Sequence, residues 1–206
     1  MGVKPYSCDI TCCASSVPRG IGMIPKFTIG NINNTATLLL YESGIYKLNN
    51  GKNTGLELNI KSGFPEIGET EIQIKTKEPA FYRLAFRAPS WSKNFKISVN
   101  NKSYSKIENG LINIDKVWKS GDNIKVLFDI PIHKLEGGLS YPNKLAYQRG
   151  IQILATDNNL NNSTLENGLP TNWIGNQSYR INSSTLVPYA DAGQTGGEIQ
   201  VWLPNN

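Results

Sequence analysis

Residues 117–132 read VWKSGDNIKVLFDIPI, and this stretch decides the fold class. Ile124, Val126, Phe128 and Ile130 recur at every second position. That period puts them on one face of a β-strand; a helix would need spacings of three and four. Ser120-Gly121-Asp122 precedes the strand as a tight turn, because glycine and aspartate accept the backbone angles that hairpins require. Trp118 stands just before that turn, where a tryptophan serves as a core or corner residue.

The same pattern extends in both directions. Leu56, Leu58 and Ile60 alternate in GLELNIKS, and Ile72 and Ile74 in TEIQIKTK. In FYRLAFRAP, Tyr82, Leu84 and Phe86 share one face while Arg83 and Arg87 point the other way. Phe95, Ile97 and Val99 follow, then Ile112 and Ile114. Asn49-Asn50-Gly51, Asn100-Asn101 and Asn109-Gly110 punctuate these runs as turns. Short, evenly spaced strands with one apolar face predict an antiparallel sandwich. Only residues 16–26 predict a helix, with Pro18 in its first turn. A second unit is expected from about Leu135, where Gly137-Gly138 and Pro142 interrupt the chain. There KLAYQRGIQILAT gives a strand pair around Arg149-Gly150. Residues 156–172 read as a polar loop, and three strands close the sequence, around Tyr179–Ile181, Thr185–Tyr189 and Glu198–Leu203.

Composition narrows the function classes. In 206 residues, 39% are hydrophobic and 18% charged, enough apolar content for a core. Polarity comes instead from 24 asparagines. A net charge of +5 raises nucleic acid as a partner. The basic residues are scattered singly, without a basic run or aromatic interleaving, so no nucleic-acid partner is expected. No membrane partner is expected either: the longest apolar run, Leu38-Leu39-Leu40-Tyr41, is far too short for a span. MGVKPYSCDI lacks the basic-then-apolar pattern of a secretory leader. Nothing in the sequence indicates a compartment.

Cys8, Cys12 and Cys13 are the only cysteines. An odd, clustered set is not a disulfide framework, and adjacent cysteines pair poorly because their Cα atoms lie too close. Thiolates suit zinc, but a closed site takes four ligands and these supply at most three, with His133 far along the chain. Spacing alone favours small buried residues in a helix-entry turn over a fragment of a metal or nucleophile site. Other candidates meet the same weighing. Glu66, Glu69 and Glu71 read as a solvated strand edge, and Asp122 as a turn residue. Trp91, Trp118, Trp173 and Trp202 could form a sugar-stacking surface, Trp173 being the one expected to be exposed. Arg149 reads as a buried brace between sandwiches and His133 as structural.

Six stretches in order carry a resemblance. They are Cys12-Cys13 with Pro18-Arg19-Gly20, LAFRAPSW (Leu84–Trp91), VNNK (Val99–Lys102), VWKSGDNIKVLFDIPI (Val117–Ile132), AYQRG (Ala146–Gly150) and VPYADAG…GGEIQVWLP ending at Pro204. With them the chain resembles the C-terminal third of the bacterial β-L-arabinofuranosidase family of glycoside hydrolases.

The resemblance implies an all-β chain of two antiparallel β-sandwich domains in tandem, preceded by a short helical remnant of an (α/α)6 barrel. Residues 1–28 would be the barrel remnant with the cysteine pair, 29–134 the first sandwich and 135–206 the second. It implies Cys12 as nucleophile and zinc ligand and Cys13 as zinc ligand in the complete enzyme, together with a glutamate and a third cysteine from upstream. Zinc would hold the sulfur as thiolate for attack on the anomeric carbon, while a second upstream glutamate protonates the leaving oxygen with net retention. Cys8 has no counterpart in that scheme. The sequence has CCASSVPRG where such enzymes more often carry proline and asparagine after the cysteines. With nearly the whole barrel missing, the chain alone is expected to be inactive, its carbohydrate substrate bound only in the complete enzyme. The face that would dock the barrel is expected to self-associate. The alternatives are a stand-alone carbohydrate-binding module and a structural sandwich whose cysteines merely pack.

Overall fold

The structure, a computed structural model, describes residues 11–32, 35–49, 55–161, 177–181, 184–194 and 196–205. Cys8, Trp173, Asn50, Gly51 and most of the polar loop at 156–172 lie outside the described residues. The chain is mostly β and divides into two units, one through Asp129 and the other from Ile130. The boundary expected at 134/135 would fall inside the first strand of the second unit.

The first unit opens with helix α1 (Thr11–Met23) and a 3-10 turn at Ile24–Phe27. The helix starts five residues before the expected 16–26 and carries Pro18 in its interior rather than its first turn. Ten strands follow: β1 (Ile29–Ile32), β2 (Thr35–Leu38), β3 (Gly44–Leu48), β4 (Leu56–Ser62), β5 (Glu69–Thr76), β6 (Ala80–Arg87), β7 (Lys96–Val99), β8 (Lys102–Tyr104), β9 (Leu111–Trp118) and β10 (Asn123–Leu127). They form a four-stranded sheet in the order β1-β2-β6-β9 and a six-stranded sheet in the order β3-β4-β5-β10-β7-β8.

The expectation of purely antiparallel sheets needs one correction. β2 and β6 run parallel, with Ala36 opposite Leu84 and Leu38 opposite Phe86. Parallel neighbours require a long crossover, and here it consists of β3, β4 and β5 in the other sheet. The turn at Ser120–Asp122 is likewise not a hairpin. β9 pairs with β6, whereas β10 pairs with β5 and β7, so the turn carries the chain from one sheet to the other. Gly121 has φ of 93° there, and its N–H donates to Ile74 O at 3.0 Å. Asn100-Asn101 does make a two-residue hairpin between β7 and β8, with φ of 46° and 70°, as the primed turns require.

Alternation along the strands builds the core. Leu56, Leu58 and Ile60, Ile72 and Ile74, and Ile124 and Val126 are buried from the six-stranded sheet; Leu84, Phe86, Ile112, Ile114 and Trp118 are buried from the four-stranded one. Each such side chain contributes roughly 1.5–3 kcal/mol by leaving water. Aromatic rings close one end: Tyr41 lies 5.3 Å from Phe128, and Trp91 stacks on Phe64 at 6.1 Å. Glu69 and Glu71 are not on a sheet edge as expected. β5 is an inner strand, and Glu69 on it pairs with Lys125 of β10 at 2.5 Å.

The second unit holds β11 (Ile132–Glu136), β12 (Lys144–Arg149), β13 (Gln152–Asp157), α2 (Asn158–Asn161), β14 (Tyr179–Ile181), β15 (Ser184–Pro188), β16 (Ile199–Gln200) and β17 (Leu203–Pro204). The single strand expected at Glu198–Leu203 is split in two, β16 pairing with β13 and β17 with β12. Among the described residues these strands make one sheet, ordered β11-β12-β13-β15-β14 with β16 and β17 attached, where a two-sheet sandwich was expected. Its core is Leu145, Tyr147, Leu154 and Leu186, covered by Tyr179, Ile181 and Leu203.

Candidate functional site

Cys12 and Cys13 occupy the second and third positions of α1, within its first turn rather than in a turn ahead of a helix at 16–26. Beyond the pair the helix exposes an apolar row. Val17, Ile21 and Ile24 recur at intervals of four and three, with Phe27 following, and they are 58%, 62%, 43% and 56% exposed. At 3.6 residues per turn Val17 and Ile21 share one face of α1, Ile24 and Phe27 continue the row in the 3-10 turn, and like every residue from 16 to 27 they are exposed. No group of three or more His, Cys, Asp or Glu among the described residues is placed to hold a metal ion. Two adjacent thiols do not make up the donor set of a zinc centre, so the described residues do not fit a complete site.

The other acidic and aromatic candidates resolve into structural roles. Asp122 is buried and accepts hydrogen bonds from Asn100 Nδ2 at 2.6 Å, from the Lys119 N–H at 2.9 Å and from the Lys116 ammonium. Burial by itself raises its carboxyl pKa, but the three donors and the Lys116 charge outweigh it and hold the group below the ordinary carboxylate range. Trp118 is fully buried and donates its indole N–H to Tyr82 O at 3.2 Å, with the Lys116 ammonium 5.0 Å from its ring. Tyr41 donates to Arg87 O at 2.8 Å, and burial pushes its phenol far above the ordinary range. Trp91 is half-buried against Phe64. Arg149 lies 5.1 Å over the Tyr179 ring and donates to Gln152. His133 sits on β11 with a buried Nε2 that has no hydrogen-bond partner among the described residues.

Beside β1, β3 and β6 a cleft of about 790 Å³ opens, lined by Asn31, Lys47, Asn49, Phe81, Tyr82 and Arg83 among others. Its described lining has no carboxylate. A retaining glycosidase of the two-carboxylate kind needs a pair about 5–5.5 Å apart, so this cleft does not supply that chemistry.

Two features were not found by sequence reasoning. Asp157 is fully buried at the end of β13 and accepts the N–H groups of Asn159 at 3.0 Å and Gly193 at 2.9 Å. The other is a stacked pair, Tyr141 on Trp202, with centroids 4.7 Å apart. Trp202 is one of the four candidate tryptophans, but its partner lies 61 residues away and no local spacing links the two.

Residues 37–130 match the family model described as beta-L-arabinofuranosidase, GH127 middle domain. No curated protein matches the chain. Solved structures do. A GH127 beta-L-arabinofuranosidase from Geobacillus stearothermophilus T6 superposes with a TM-score of 0.74 at 18% identity, over 98% of this chain and 38% of its own. A protein described as a glycoside hydrolase gives 0.74 and 18%, over 99% and 43%. A GH127 beta-arabinofuranosidase gives 0.75 and 20%, over 98% and 40%. At such identities the likeness is one of fold, and the chain spans about two fifths of the length of these structures. Over residues 37–130 the chain is similar to the GH127 beta-L-arabinofuranosidase middle domain, and its β-rich fold corresponds to a part of these longer structures.

Proposed function

We propose that the chain is the C-terminal accessory region of a β-L-arabinofuranosidase-like glycoside hydrolase and is inactive alone. The observation that carries this reading is the exposed apolar row of Val17 and Ile21 on α1 and Ile24 and Phe27 in the 3-10 turn after it. An apolar helix stripe of this width is the face a helix turns toward other helices. The solved relatives are more than twice as long as the part this chain covers. The row therefore suits α1 as the last helix of a helical barrel, and the two sheets made by β1 to β10 suit the sandwich that follows it. In the complete enzyme Cys12 would be the nucleophile and, with Cys13, a zinc ligand. The remaining donors and the proton-donating carboxylate would come from the barrel.

Assay of the chain with an aryl β-L-arabinofuranoside, alongside metal analysis under reducing conditions, tests the reading. No release of the aryl group and no stoichiometric zinc are expected. Hydrolysis that disappears in Cys12→Ser, or one tightly held zinc per chain that disappears in Cys12→Ser/Cys13→Ser, would overturn it. A second reading, a carbohydrate-binding module, draws on the stacked pair Tyr141 and Trp202, of which Tyr141 is exposed and Trp202 half-buried.

A further inference from the structure

One turn of the second unit is built to hold an aromatic ring outside the core. It joins β11 to β12, with positive φ at Gly138 (56°) and Asn143 (58°). Tyr141 N–H donates to Gly137 O at 3.1 Å, and Lys144 N–H donates to Tyr141 O at 3.2 Å. A side chain at position 137 would strike the Tyr141 backbone carbonyl, so only glycine closes the turn this tightly. The ring so fixed lies on Trp202, with the two planes 16° apart. Tyr141 nevertheless remains 44% exposed, while Leu145 and Tyr147 on the next strand are buried. Two exposed asparagines stand near in sequence to the two rings, Asn143 and Asn205, and their backbones are joined, the Asn205 N–H donating to Asn143 O at 3.0 Å.

From this geometry we infer that the Tyr141–Trp202 pair is a sugar-contacting platform for a neutral oligosaccharide. The exposed face of Tyr141 takes the C–H face of a sugar ring, Trp202 backs it, and the Asn143 and Asn205 amides reach the ring hydroxyls. Aromatic rings offer large contact area at low entropic cost, and amides donate and accept at once, as hydroxyl pairs require. The backing stack and the closed turn hold the ring in place before binding, which lowers the cost of ordering it. The choice of sugar rests on the glycoside-hydrolase reading above.

Proton–nitrogen NMR of the full chain tests this through its four tryptophan indoles, with Trp202→Phe identifying the Trp202 signal. On titration with a soluble arabino-oligosaccharide, the Trp202 indole is expected to move while that of Trp118, bonded to Tyr82 O, stays. Tyr141→Ala should weaken the response about tenfold, the loss expected for one aromatic contact. Tyr141→Phe, which keeps the ring, should retain it. Movement with a cello-oligosaccharide alone would support the platform and count against the arabinose assignment. No movement with either sugar, or a response unchanged by Tyr141→Ala, would overturn the platform. The zinc and hydrolysis assays would still judge the accessory-region reading independently.

Discussion

Lys116 and Asp122 face each other across the corner where the chain passes from one sheet to the other, their ammonium and carboxylate in direct contact. The Asp122 carboxylate also takes the Lys119 N–H and the Asn100 amide, so three donors converge on one buried anion. The tight-turn residue of the WKSGD stretch is thus the tie that fixes the sheet-to-sheet crossing. Asp122→Ala leaves those donors unpaired and is expected to cost about 2–4 kcal/mol at neutral pH, read from urea unfolding.

The same carboxylate predicts an acid limb of stability. Its folded pKa is depressed, so its contribution is fully present above the unfolded-state value of about 3.9. It is lost as pH falls through the folded-state value. The stability gap between wild type and Asp122→Ala should therefore narrow as pH falls below about 4. A gap independent of pH would show that the charge on Asp122 contributes nothing.

Glycine substitutions separate close approach from open space. Phe128 N–H donates to Gly68 O at 2.9 Å, and a Cβ on Gly68 would run into the Phe128 carbonyl. Gly68→Ala must push the backbone at Phe128 away and should cost about 1–3 kcal/mol. Gly20, inside α1, has nothing near its absent Cβ. Gly20→Ala should raise the helix content of α1 by circular dichroism, with about 0.8–1 kcal/mol of helix propensity behind it. Equal effects from the two variants would mean that the Gly68 approach is not tight.

Which parts were legible in the sequence follows from the range of the forces involved. Alternation such as Leu56-Leu58-Ile60 is local, so strand identity and buried faces could be read directly. The Asn100-Asn101 hairpin was legible for the same reason, because its positive φ angles demand those residues. Sheet assignment is not local. Nothing near Ser120–Asp122 tells a hairpin from a sheet-to-sheet corner; the answer lies in β5 and β7, which take β10 away from β9. The same applies to β2, whose parallel partner β6 lies four strands onward, and to Glu69, whose inner-strand position depends on β10. Of the candidate site, a helix near the cysteine pair was legible but not that it starts early enough to include the pair, and the donors that would complete the site are not among the described residues. Tyr141–Trp202 and Asp157 are long-range pairings that no spacing rule encodes.

Asp157 should be the keystone of the second unit. It is a fully buried carboxylate whose oxygens receive Asn159 N–H and Gly193 N–H, and so it ties the start of α2 to the segment after β15. Asp157→Ala removes both bonds inside a low-dielectric interior and is expected to cost about 2–4 kcal/mol. Hydrogen exchange should show faster exchange at Asn159, Gly193 and along β13 and β15, with the amides of β4 and β5 unchanged. Uniform acceleration across both units, or none in β13, would contradict this assignment.

The apolar row on α1 predicts behaviour in solution. A row of four large apolar side chains on α1 and its following 3-10 turn, each roughly half exposed, keeps its hydration cost until something covers it. With no helical partner supplied, a second copy of the chain is the apolar surface at hand. The chain should therefore self-associate with rising concentration in sedimentation velocity. Val17→Ser/Ile21→Ser removes the two most exposed members, at about 1.5 kcal/mol or more of lost apolar burial each if the interface closes on them. Association should weaken by at least about tenfold, while the urea midpoint of the β-rich part stays unchanged. A monomer at every concentration, or association indifferent to these serines, would mean that α1 is not the sticky face, and the barrel-docking role proposed for it would lose its support.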